Sequence, residues 1–390
     1  MEKWERLRKN PRFSHFTISL FRYFAVLSLF CYFAVFLFPF FALAADGWKE
    51  AEEPRRWSFP KDHGAHPEYR TEWWYFTGNL ADEKGNRYGY QLTFFRQGIR
   101  TEPADRGNPW SVRDLYLAHF SISDVSQKRF TYDERVSRTG PGLAGASTEG
   151  LHVRLLDWSA TQKGETISLR ATNPSMEIVL ELTPRKSVVL HGDQGLSRKG
   201  DREGQASYYT SYTDLATTGM LKPAGSAALL KVAGVSWFDH EFGSNQLTPE
   251  QEGWDWFSLH LSNGQELMLY LMRRTNGTVE PSSSGTLVGP EGKSTHIPLA
   301  GMNLQVLEQW KSPGSGAVYP SRWRISIPSA GIELTVSPLL ADQELRTEAS
   351  TGITYWEGAV DGQGLSRGRK VTCQGYVELT GYAGSMGGLF

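Results

Sequence analysis

At 390 residues the chain has room for two domains, each able to bury its own core. Its 13 Trp, 16 Tyr, 40 Gly and 19 Pro describe a turn-rich all-β protein, because aromatics suit pleated surfaces while Gly and Pro suit tight connections. A net charge of −1 with no basic stripe leaves no electrostatic footprint for a nucleic-acid partner.

Residues 1–22 carry Lys3, Arg6, Arg8, Lys9, Arg12 and Arg22 against Glu2 and Glu5. An uncharged run from Tyr23 to Ala45 follows and ends in Ala42-Leu43-Ala44. This layout predicts a secretory signal peptide over 1–44, cleaved after Ala44, and hence an exported, periplasmic protein. An uncleaved membrane anchor is the alternative, since a run of that length can span a bilayer. Pro39 and the small-residue site favour cleavage, and Phe30 before Cys31 argues against lipoprotein processing. Cys373 is then the one cysteine of the mature chain, so neither an internal disulfide nor a cysteine-based metal site is expected.

Residues 45–56 are polar and read as a flexible lead-in to a first domain over 57–245. Asp62-His63-Gly64-Ala65-His66-Pro67-Glu68 offers imidazoles and carboxylates, but its histidines lack zincin spacing and Pro67 opposes a helix. Loop hydrogen bonding is the expected role there, with no metal and no cofactor. In the next strand Glu72, Trp74 and Phe76 share one face, and Trp73, Tyr75 and Thr77 the other. Neither face looks solvated. One is core and the other a ligand wall or domain interface. Glu72 among aromatics is expected to be desolvated, with a raised pKa that makes it an acid near neutral pH.

Further strands are expected at Leu115–Ile122, Leu151–Leu156, Thr166–Ala171 and Met176–Leu182. Arg100–Trp110 and Arg138–Gly150 read as long loops, and Asp201–Leu221 is polar and Tyr-rich. At the domain's end Trp237, Asp239 and Glu241 face one way, and Phe238, His240 and Phe242 the other. Two readings stay open there. The acids and His240 serve general acid–base work, or the acids bind loop amides while His240 caps the core.

A second domain over 246–390 repeats the first. Trp73-Trp74-Tyr75-Phe76, a turn near Gly85 and a strand ending in Arg96 are matched by Trp254-Asp255-Trp256-Phe257, a turn at Asn263-Gly264 and a strand ending in Arg273. Val235–Gly243 is likewise echoed by Gly375–Tyr382. Such a repeat of hairpins implies two related antiparallel β-barrels, since closing a barrel removes exposed edges. No Gly-x-Ser-x-Gly elbow and no phosphate-cradling loop occurs.

His66-Pro67-Glu68-Tyr69-Arg70-Thr71-Glu72-Trp73-Trp74-Tyr75-Phe76-Thr77-Gly78, Leu92–Arg96, Trp237–Gly243 and Gly375–Tyr382 resemble the AttH/CrtC family across nearly the whole mature chain. That family joins secreted AttH-type proteins with carotenoid 1,2-hydratases and, in fungi, kievitone hydratase. The resemblance implies two lipocalin-like (calycin-type) antiparallel β-barrels packed side by side. It also implies a role for the Asp-His-x-x-Gly motif, matched here by Asp239, His240, Phe242 and Gly243 and followed by Trp254, Asp255 and Trp256.

Two functions follow as expectations. One is a periplasmic carrier of an apolar molecule or lipid, serving an ABC-type transporter permease complex. The other is a hydratase that protonates an isolated double bond, with Asp239, His240, Glu241 or Glu72 as the acid. In the hydratase, Trp74, Tyr75, Trp237, Trp254 and Trp256 line the site and stabilise a carbocation. Both place the site where the first domain's opening and closing strands meet the second domain, with Glu72, Trp74, Asp239, His240 and Trp256 converging on one cavity.

Overall fold

A computed structural model describes residues 47–387 apart from 103–107, 109 and 141. The expected signal segment over 1–44 lies outside the described residues. From Trp48 onward the chain forms one unit built on two antiparallel sheets. The first is a nearly closed barrel of 13 strands and the second a half-barrel of 10, so the second sheet curls without closing as a barrel would. Among the described residues helix is confined to short 3-10 turns such as Lys61–His63, and none is long and apolar enough to cross a membrane.

The opening strand Thr71–Asp82 lies between its hairpin partner Arg87–Gly98 and the closing strand Leu230–Gly243. Beyond the closing strand comes Ala206–Lys222, where the polar Tyr-rich segment forms a 17-residue strand. The second sheet repeats this centre: Gln251–Leu261 lies between Glu266–Arg274 and Arg369–Leu379, with Ile353–Ser366 next. The Arg138–Gly150 segment contains one short strand, Ala144–Ala146.

The faces of the opening strand separate two cores. Trp74, Phe76 and Leu80 point into the barrel, which is filled by Tyr90, Phe94, Phe120 and Trp158 among others. Tyr75 points outward into a second cluster with Trp237, Trp256, Met268 and Tyr376, which binds the two sheets together. Every residue of this strand from Trp74 to Leu80 is therefore buried, although alternate side chains point to opposite faces. The sheets touch where Gly89 leaves room: a β-carbon there would lie 2.7 Å from Ala359 Cβ and from the Tyr376 hydroxyl. Beside it the Asn79 side-chain amide donates to the Gly375 carbonyl at 3.0 Å.

The lead-in differs from expectation. The Lys49 amide donates to the Glu68 carbonyl (2.9 Å), Ala51 is fully buried, and the Tyr208 hydroxyl donates to the Glu53 carbonyl (2.7 Å). Long-range partners hold this segment against the barrel despite its polar composition.

Candidate functional site

Register places the outward residues of the first sheet in rows. Tyr75 lies beside Thr93 on one side and Asp239 on the other, and Asp239 is flanked in turn by Ser211. The second sheet has the same arrangement: Trp256 lies beside Tyr270 and Glu378, and Glu378 beside Glu357. Tyr75 and Trp256 are therefore equivalent positions of the repeat, as are Asp239 and Glu378. The two aromatics meet edge to face at 5.1 Å. Around them a cavity of about 90 Å³, partly open to solvent, is lined by Trp73, Phe95, Trp254, Tyr209, Lys199, Glu241, Asp239 and Glu378 among others.

Asp239 accepts hydrogen bonds from neutral donors. The Trp237 indole N–H reaches Oδ1 at 2.6 Å, where the Ser211 hydroxyl also donates, and the Tyr209 hydroxyl reaches Oδ2 at 2.8 Å. Tyr209 in turn accepts from the Trp256 indole N–H at 2.9 Å. Burial pushes the Asp239 pKa up to about 7 against these donors, and the Glu241 charge adds to the rise. With Oδ1 already taking two donors, a proton on this carboxyl belongs on Oδ2.

Glu378 behaves alike. It accepts from the Trp254 indole N–H at 2.8 Å, yet burial raises its pKa to about 7, helped by the charges of Asp239 and Glu241. Glu357 is fully buried, accepts from the Tyr75 hydroxyl at 2.6 Å on Oε1, and has no partner for Oε2. Burial and then the Glu378 charge hold its pKa well above the carboxylate range. Glu241 instead pairs with the Lys199 ammonium at 2.7 Å.

The expected convergence of acids is not what the fold makes. Glu72, Trp74 and His240 turn into the barrel, away from Asp239. There the Glu72 carboxylate is bound by the His240 Nε2 (2.9 Å), the His66 Nδ1 (3.0 Å) and amide, and the Arg96 Nε (3.0 Å). Burial alone would raise its pKa, but the hydrogen bonds from His240 and His66 and the Arg96 charge outweigh that and lower it. Glu72 is therefore a fixed anion and no proton donor at neutral pH. His240 is fully buried and stacks on Trp74 at 5.2 Å, with its pKa lowered by burial despite Glu72.

His66, Glu72 and His240 place ligand atoms within 4.8 Å of one another. The Arg96 guanidinium beside the same carboxylate already supplies positive charge there, so the donor set does not favour a cation. Asp255, from the matched family motif, also turns away from the cavity, bound by Arg273 at 2.9 Å and the Tyr382 hydroxyl at 3.0 Å.

Of the named residues, the cavity thus gathers Asp239, Glu241, Tyr75, Trp254 and Trp256, with Trp237 buried behind Asp239. Glu357, Glu378, Lys199 and Tyr209 were not singled out from sequence as site residues. The echo of Trp237-Phe238-Asp239 in Tyr376-Val377-Glu378 was the available signal for Glu378.

The pKa shifts set a pH profile for stability. Asp239 and Glu378 hold protons in the fold that the unfolded chain gives up near pH 4, so stability falls as pH rises from about 4 through 7. Glu72 acts oppositely: its contribution is present above the ordinary carboxyl range and is lost as pH falls. Each unit of elevation corresponds to about 1.4 kcal/mol. Five histidines oppose the two acids: His63, His119, His191, His240 and His260 have lowered pKa values, so their contribution is lost as pH falls below about 6.5. The acids are therefore read by difference. The unfolding midpoint of the double variant Asp239→Asn, Glu378→Gln is expected to gain on that of the unmodified protein as pH rises from about 4 to 7. A difference that stays constant over that range would refute the shifts on the two cavity acids.

Comparison with known proteins agrees with this architecture. The AttH-like family model matches residues 50–382. A crystal structure of an AttH protein from Nitrosomonas europaea is 32% identical, with a TM-score of 0.76 over 86% of this chain and 99% of that one. Kievitone hydratase from Nectria haematococca shares the fold at 16% identity, with a TM-score of 0.64 over 87% of this chain and 97% of its own. A search of curated protein sequences finds no match.

Proposed function

The chain belongs to the AttH-like family, and on that footing we propose that it binds an elongated apolar molecule between its two sheets and adds water across an isolated double bond in it. One observation carries the reading: Asp239 and Glu378, both with pKa raised to about 7, face one aromatic cavity from equivalent strands. A passive carrier would use the aromatic area but gain nothing from two buried acids without counter-charges.

Near neutral pH one carboxyl is protonated while the other is ionised, which is the pairing that acid–base catalysis requires. Asp239 Oδ2–H gives its proton to an alkene carbon, the π pair forming the new C–H bond. The tertiary carbocation left on the neighbouring carbon faces the negative ring faces of residues such as Trp73, Trp254 and Trp256. Glu378 takes a proton from the water that attacks the cation, so a C–O bond forms as an O–H bond breaks. The net change is addition of one water. Asp239 ends ionised and Glu378 protonated, and a proton passed back through the cavity restores the start. The N-terminal charge layout supports export, which fits an isoprenoid or lipid of the cell envelope as the ligand, with an ABC-type permease as the corresponding route.

Incubation with an acyclic trisubstituted isoprenoid alkene in D2O containing oxygen-18 water tests the reading. The expected product carries the label oxygen on the tertiary carbon and one deuterium on its neighbour. A set of isoprenoid alkenes that bind in the cavity and return unlabelled would leave only a carrier.

A further inference from the structure

We propose that the cavity between the sheets is a binding site for amphiphilic organic cations, in which an apolar chain ends in a quaternary ammonium group. The inference rests on the reading above for the location of the site and not for its chemistry.

The charge balance of the cavity carries it. Four carboxyl groups, Asp239, Glu241, Glu357 and Glu378, face or back the cavity against one ammonium, Lys199, which is taken by Glu241 at 2.7 Å. No cation forms an ion pair with Asp239, Glu357 or Glu378 among the described residues, and the Lys199 charge reaches Asp239 only beyond its own pairing with Glu241. Their hydrogen bonds come from neutral hydroxyls and indoles, and Glu357 Oε2 is buried with none. Three buried carboxyls left in this state lack one thing, a positive charge that needs no hydrogen bonds of its own.

The walls supply the rest. A quaternary ammonium is held by aromatic faces and nearby carboxylates, and Trp73, Tyr75, Trp254 and Trp256 enclose the space beside Asp239 and Glu378. The chain contains its own instance of this contact. Lys199 Nζ lies 5.1 Å from the Tyr209 ring centroid and 4.5 Å from that of Tyr270, at one edge of the same cavity and beside a carboxylate.

Binding should release protons. The titratable groups facing the two acids are Glu241 and Lys199, which neutralise each other, Glu357, and the phenols of Tyr75, Tyr209 and Tyr355. The His191 imidazole lies behind Ser211, its Nε2 at 2.7 Å from that hydroxyl. Burial keeps the phenols protonated and, by lowering the His191 pKa to about 3, the imidazole neutral. Carboxyl protons are therefore the ones displaced when a cation enters, and affinity for a cation should fall as pH falls through about 7.

Calorimetric titration of the full protein with octyltrimethylammonium, 1-octanol and octanoate tests this. At pH 8 the ammonium should bind about tenfold or more tightly than the alcohol, with octanoate weakest. That advantage should shrink at pH 6, and heats in buffers of different ionisation enthalpy should show proton release. The double variant Asp239→Asn, Glu378→Gln should abolish the preference for the cation. If that variant does not fold, the pH dependence and proton release of the unmodified protein decide. Equal affinities for ammonium and alcohol, a preference for octanoate, or binding without proton release would overturn the proposal. Ammonium binding with no alkene hydration would leave this inference standing and remove the chemistry. Hydration without selectivity for the cation would do the reverse.

Discussion

Asp239→Asn is expected to lower the hydration rate by about 100-fold to 10,000-fold, the range for removing a positioned proton donor, while the protein stays folded. The amide keeps an oxygen for the Trp237 indole and the Ser211 hydroxyl. The cost falls on Tyr209, whose hydroxyl now donates to Oδ2 and accepts from Trp256. Facing an amide NH2, it must turn away, a loss of about 1 kcal/mol for one buried hydrogen bond. Above pH 7 that loss is offset, because the asparagine carries no charge that burial penalises. Glu378→Gln should behave alike, and the double variant should be little slower than either single one, since acid and base act as a pair. Steady-state rates with thermal unfolding of the same samples check this. Full activity in Asp239→Asn would remove the residue from the chemistry, whereas lost activity in an unfolded sample would not bear on it.

Arg96→Met is expected to give the largest loss of stability of any single change discussed, without touching the cavity. The guanidinium is 1% exposed and binds Glu72, Asp114 and the carbonyls of His66 and Tyr69. Removing it leaves two buried carboxylates without their cation and two carbonyls without a donor. Breaking a buried pair in this way costs about 3–5 kcal/mol, on the order of 5 °C in unfolding midpoint for a chain of this size. Arg96→Lys should recover little, because an ammonium cannot match the fork of donors that reaches these groups together. An unfolding midpoint within a degree or two of the unmodified protein would show that this buried cluster contributes little to stability.

The architecture was legible because its signals are local. Alternation at Glu72–Thr77 and Trp237–Phe242 and the hairpin turn at Asn263-Gly264 all act within a few residues. The half-open second sheet was not legible, because closure depends on pairing between strands distant in sequence. The lead-in was misjudged for a related reason: its partners Glu68 and Tyr208 lie far along the chain.

Alternation also told which site residues share a face, and so grouped Trp237, Asp239 and Glu241 correctly. It did not tell which face of each strand is the barrel interior. Glu72 shows the consequence, since His66, Arg96 and His240, three partners from three segments, reverse the pKa shift that burial alone implies. Glu378 was within reach by aligning the repeat with itself. Glu357 and Lys199 carried no comparable mark, because their roles come from what lies across the interface.

Where a bound apolar molecule sits distinguishes the space between the sheets from the interior of the first barrel. A crystal structure of the protein grown with a saturating acyclic isoprenoid is the direct measurement. Density is expected between Tyr75 and Trp254, with the chain against Trp256 and its double bond within reach of Asp239 or Glu378. Density inside the first barrel, beside Trp74 and His240, would contradict the assignment and make the two raised carboxyls features of the interface alone.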